Sequence, residues 1–117
     1  MTNKLELQFG DIVWAEFAPS VAHRYQDKRL AVVIQSAKPL EKSRLVTVIP
    51  LSSLVEEKGE DDIMIFADLK NKLKQDAIAK VYCISSFDHS RFTKKIGSVS
   101  PKVSADIKKY LERHFGI

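Results

Sequence analysis

The sequence predicts a small α+β fold, a strongly bent β-sheet of the SH3-like barrel kind with a C-terminal amphipathic helix, and three observations predict it. Short runs of β-branched and aromatic residues recur along the chain between charged or turn-forming connections. A single amphipathic helical pattern occurs, at the end. The whole is 117 residues, room for one core but not two, so 1–117 reads as a single domain without repeat or linker.

Taken in order, residues 1 to 9 read as a frayed lead-in. Gly10-Asp11 launches the run Ile12 to Phe17, with Ile12, Trp14 and Glu16 on one face and Val13, Ala15 and Phe17 on the other. Ala18-Pro19-Ser20 stops it, and the polar segment Val21 to Lys28 reads as a loop suited to carrying binding groups. Leu30 to Gln35 and Leu45 to Leu51 are two apolar strands joined by a loop with Pro39 and a cluster of lysines and arginines. Arg29 stands just before the first, Ser52 and Ser53 just after the second. If the strands are sheet neighbours, guanidinium and hydroxyls share one rim, where a phosphate fits between them.

Glu56 to Asp61 reads as a solvated charged turn and Asp62 to Asp68 as a strand, while Leu69 to Gln75 is a short helix or an irregular crossing. Asp76 to Ile84 alternates in period two, which predicts a strand with Ala77, Ala79, Val81 and Cys83 facing the core and Lys80 and Tyr82 looking outward. Ser85 to Phe92 suggests a helical turn capped by Ser86, and Thr93 to Gly97 a short edge strand. Ser100-Pro101 opens the helix, since serine satisfies free backbone donors and proline is pre-set for the first turn. Its stripe is Val103, Ile107, Tyr110, Leu111 and His114, and Gly116 ends it.

Composition narrows the class. Hydrophobic residues at 44% and charged residues at 29% describe a globular protein. Nineteen Lys+Arg against 15 Asp+Glu leave a net charge of +4, compatible with a polyanionic partner. The one cysteine and three histidines form no metal-ligand spacing, so neither metal nor cofactor is expected. Without an apolar run of membrane-spanning length or a signal-peptide core, the expected setting is cytoplasmic, away from the membrane.

Several of these pieces, in this order, resemble the MazF/PemK toxins of type II toxin–antitoxin systems, related in fold to CcdB. They are Gly10-Asp11-Ile12-Val13-Trp14, Pro19, Lys28 to Ile34, Val46 to Ser53, Phe87-Asp88 with Arg91, and Lys95-Ile96-Gly97 with Val99-Ser100-Pro101. The resemblance implies a homodimer with RNA bound in its interface groove, metal-independent and sequence-specific endoribonuclease activity on single-stranded mRNA, and a cognate antitoxin peptide laid into the same groove. Arg29 falls on the family's active-site arginine, Ser52 on its active-site threonine or serine, and His23 on a histidine found in some members. Three departures stand out: Leu30 replaces the usual proline, Ala22 to Tyr25 replaces Gly-x-Glu-Gln, and Tyr82 to Ser86 replaces a segment that carries an acid and an arginine.

Cleavage without a metal uses the ribose 2′-OH as nucleophile, so the protein has to move protons and stabilise a pentacoordinate phosphorane. Arg29 suits the phosphorane, because two parallel donors match two phosphate oxygens and the charge is permanent; alternatively it is a surface arginine bridged to an acid such as Asp27. Ser52 suits in-line positioning of the phosphate, with Ser53 equally placed, although Ser-Ser after a strand is also a turn signal. His23 is a candidate base or acid. Gln26, Lys28, Lys80, Tyr82 and Arg91 are candidate RNA contacts, through phosphate pairing or base stacking. Two other readings stand beside the nuclease: a MazF-like protein that binds RNA without cutting, and a CcdB-like gyrase poison.

Overall fold

The computed structural model describes residues 6–16, 28–36 and 44–117. Seven strands and one helix follow in chain order: β1 (Asp11–Glu16), β2 (Lys28–Val33), β3 (Leu45–Ser52), β4 (Ile63–Ile65), β5 (Ala77–Ala79), β6 (Ser85–Asp88), β7 (Phe92–Ser98) and α1 (Pro101–Phe115). Short 3-10 turns sit at Val55–Glu57, Val81–Cys83 and His89–Arg91. The pairing is antiparallel, in the order β4-β5-β3-β2-β1-β7, with β6 also on β3. Among the described residues β4 and β7 are not paired to each other, so the bent sheet stays open.

β3 is the hub because its eight residues are long enough to serve three partners. β2 lies along one edge, while on the other β6 takes Leu45 to Val48 and β5 takes Leu51 and Ser52. Pro50 fits inside a strand because it needs no ladder donor; its carbonyl accepts from Lys80 N–H at 2.9 Å.

Period-two alternation sends side chains to both faces of the bent sheet, so instead of the single core expected from the chain length there are two apolar clusters. Ile12, Val32, Ile49 and Leu51 join Ile65, Ala79, Val81, Ile107 and Tyr110 under α1. Val13, Ala15, Ala31, Val33, Val46, Val48 and Phe92 pack on the opposite face with Leu7. Burying each such aliphatic side chain contributes about 1.5–3 kcal/mol. Ser100 Oγ accepts from Val103 N–H at 3.2 Å, and Gly116, at φ 69°, ends the helix. Of the expected stripe, Ile107 and Tyr110 are buried, Val103 and Leu111 half-buried, and His114 exposed against the Tyr110 ring.

Several expectations are corrected. The strand predicted over 76–84 ends at Ala79, because a 3-10 turn follows; Ile78 is fully buried on the face expected to look outward, and Cys83, expected in the core, is exposed. The predicted helical turn at 85–92 is β6 plus a 3-10 turn, since β3 offers Ser85 to Asp88 an open edge, and the cap is Asp88 rather than Ser86. The strand predicted over 62–68 shortens to β4. In the expected lead-in, Leu7 is buried and Gln8 N–H donates to the Asp11 carboxylate at 2.8 Å.

Candidate functional site

The β2–β3 ladder positions the rim. Ala31 pairs with Pro50 and Val32 with Ile49; continuing that register outward sets Arg29 opposite Ser52, and then Lys28 opposite Ser53. Alternation adds the face. Arg29 lies two residues from Ala31, Ser52 four from Val48, and both apolar residues belong to the core opposite α1. Arg29 and Ser52 therefore share one face at one end of the sheet, as two strands of complementary polarity require. On the other side Ala15 pairs with Arg29 and Glu16 with Lys28.

Arg29 is exposed and Ser52 half-buried. Ser52 Oγ accepts from Leu54 N–H at 3.1 Å, which is the turn role its position suggested. An acceptor lone pair is used there, and the hydroxyl proton is still available to donate. Lys28 Nζ lies 3.9 Å from Glu16 Oε2, and Arg91 Nη1 donates to the Glu16 carbonyl at 3.4 Å. Arg91 belongs to the 3-10 turn leading into β7, whose Phe92 pairs with Ala15. Lys28, Arg29, Arg91, Ser52 and Ser53 thus gather where β1 and β3 end and β2 and β7 begin. His23, Gln26 and Asp27 lie outside the described residues.

Lys80 and Tyr82 go elsewhere than an outward strand face. Lys80 Nζ is 3.1 Å from the buried Asp62 carboxylate. Burial pushes Asp62 up, but Gly59 N–H and Lys80 outweigh it and hold the carboxyl below its usual value. The Tyr82 hydroxyl donates to Asp61, which raises its pKa, and its ring meets Tyr110 and His114 edge-on. Asp61, expected in a solvated turn, also lies 3.9 Å from Arg113 of α1. A 680 Å³ groove runs between this segment, β4 and α1, lined by Lys58, Met64, Phe66, Lys109 and Glu112 among others.

A further ion pair at the β1–β7 ladder escaped sequence reasoning: Asp11, 1% exposed, takes Lys95 Nζ at 3.3 Å. A short polar residue directly before a β-branched run is the signal that marks it. Among the described residues no three His, Cys, Asp or Glu side chains converge as metal ligands. No helix of the described residues is long and apolar enough to cross a membrane.

An open, bent antiparallel sheet with one C-terminal helix is a fold shared with MazF of Deinococcus radiodurans. Residues 8–115 match the model of the PemK-like, MazF-like toxins of type II toxin–antitoxin systems, and the chain belongs to that family. Among solved structures, MazE–MazF from Deinococcus radiodurans aligns with a TM-score of 0.82 at 20% identity, over 97% of this chain and 98% of that one. Toxin MazF-mt6 of Mycobacterium tuberculosis aligns at 0.72 and 14% identity, over 92% and 97%. A mycobacterial endoribonuclease in complex with its cognate antitoxin aligns at 0.69 and 9%, over 96% and 95%. No curated protein sequence is matched.

Proposed function

We propose that the protein is the toxin of a type II toxin–antitoxin pair and cleaves single-stranded mRNA at specific sequences without a metal ion. What supports this reading is the β2–β3 ladder, which pairs Ala31 with Pro50 and, carried two residues outward, brings Arg29 opposite Ser52 on one face at the sheet rim. In the proposed reaction the 2′-oxygen attacks phosphorus, the bond to the 5′-oxygen breaks, and a 2′,3′-cyclic phosphate and a 5′-hydroxyl result. Arg29 donates to two equatorial oxygens of the phosphorane, where charge builds up most. Ser52 donates its proton to the same phosphate and keeps it in line. His23 is the candidate proton carrier, and Ser53, Gln26, Lys28 and Arg91 the backbone contacts. The proposed assembly is a homodimer neutralised by an antitoxin peptide, in line with the MazE–MazF complex that this fold matches.

Purified protein incubated with a long RNA in EDTA tests it. Cuts at a short recurring sequence, lost in Arg29→Ala, are the expected result. A second reading, RNA binding without cleavage, draws on the Tyr82 to Ser86 segment, which holds neither an acid nor an arginine; a gel shift with intact RNA would favour it. Intact RNA together with trapped gyrase–DNA complexes would favour a gyrase poison instead.

A further inference from the structure

The side chains around the rim divide between two faces. Arg29 and Ser52 lie on one; Lys28 lies on the other, in line with Leu30 and paired with Glu16. Trp14 shares that second face. It sits in the middle of β1, directly between Leu30 of β2 and Lys94 of β7, and remains 36% exposed. Cross-strand neighbours stand about 5 Å apart at Cβ, so a lysine flanks the indole on one side and an apolar side chain supports it on the other. Lys94 is exposed and has no ion-pair partner among the described residues.

An exposed aromatic face beside Lys94 and beside Lys28, which is held only by a loose 3.9 Å pair with Glu16, matches single-stranded nucleic acid, whose bases stack while its phosphates seek positive charge. A strand bound at Arg29 and Ser52 has only to pass over the end of the sheet to reach this face, because Trp14 is the β1 neighbour of Ala15, the residue that pairs with Arg29. We infer that Trp14 is a base-stacking platform for an unpaired nucleotide next to the scissile phosphate, with Lys94 and Lys28 on its flanking phosphates. This inference rests on the RNA reading of the rim and assigns a positioning role to a residue outside the Arg29–Ser52 pair.

Trp14 is the only tryptophan in the chain, so its emission reports on this site alone. The probe is a fully 2′-O-methylated single-stranded oligonucleotide, which cannot be cut, carrying an end label for anisotropy. Saturation should quench Trp14 emission, Trp14→Leu should weaken binding about tenfold, and Trp14→Phe should restore most of it. Thermal melts of both variants check the fold; if Trp14→Leu melts early, the quenching and the Trp14→Phe affinity decide. Tight binding with unchanged emission, or a folded Trp14→Leu that binds as well as wild type, overturns the stacking role and leaves the RNA reading intact. No binding by the wild type, or binding indifferent to Arg29→Ala, overturns both.

Discussion

Asp88 shows how much one half-buried carboxylate can organise. It accepts from Ser90 N–H at 2.9 Å to cap the 3-10 turn that presents Arg91, and lies 3.4 Å from Arg44 Nε. Hydrogen bonds from Ser90, with Arg44 nearby, hold its pKa at about 2. An unfolded aspartate titrates near 3.9. Because the folded value is the lower one, the stabilisation is complete above about pH 4 and is lost as the pH falls from there toward 2. NMR titration of the Asp88 carboxyl should give a midpoint near 2; a midpoint at the unfolded value would show the cap and ion pair absent in solution. Lys80 poses the opposite problem, since its partner Asp62 is only 7% exposed. Lys80→Met leaves that carboxylate with the Gly59 N–H alone. Stability should drop by about 1–3 kcal/mol in urea melts near neutral pH, and the loss should shrink in acid as Asp62 takes up a proton.

At the scale of elements, β7 is fixed by a contact that hydrophobic patterning does not reveal. A Cβ on Gly97 would lie 2.5 Å from the Asn71 carbonyl oxygen and 2.6 Å from that of Lys70, so the turn can approach only a bare backbone. Asn71 is buried and holds the turn from within, accepting from Asp68 and Leu73 N–H and donating to the Phe66 carbonyl. Gly97→Ala should therefore cost about 1–3 kcal/mol, read as a lower urea midpoint at unchanged slope; an unaltered midpoint would mean the turn can retreat. The Lys-Ile-Gly run is visible in the sequence, but the segment that presses on it lies some 25 residues earlier, and only the fold brings the two together. β2, β3 and α1 were legible because period two, period 3.6 and Ser-Pro capping are local signals. The end of β5 was not, because Lys80 to Ile84 keeps an alternating pattern while its backbone tightens into a 3-10 turn. β6 was misread for a related reason: Asp-x-Ser marks the cap at Asp88, but nothing local reveals that β3 has an open edge waiting for Ser85 to Asp88. Of the candidate site, Arg29 and Ser52 follow from strand register, whereas the partners of Lys80 and Tyr82 depend on where the 58–62 segment folds back.

At the scale of the molecule, a net charge of +4 is too small to attract a polyanion everywhere, so in the proposed RNA reading placement of the cations decides where a strand would bind. The ends of β1 and β3 and the starts of β2 and β7 bring Lys28, Arg29 and Arg91 to one rim. On α1, Lys102 is paired with Asp106, and Arg113 lies 3.9 Å from Asp61 of the loop before β4, so two of the cations on the helix side already face carboxylates. Single-strand binding releases counterions in proportion to the phosphates contacted, with a slope in log K against log salt of about −0.7 per contact. Replacing Lys28 and Arg91 together by alanine should make that slope shallower by about 1.4, whereas Lys109→Ala on α1 should leave it unchanged. Anisotropy titrations of an uncleavable single strand across a salt series measure both. Equal losses from the rim pair and from Lys109 would mean that RNA responds to overall charge, and the rim would then have no privileged place in recognition.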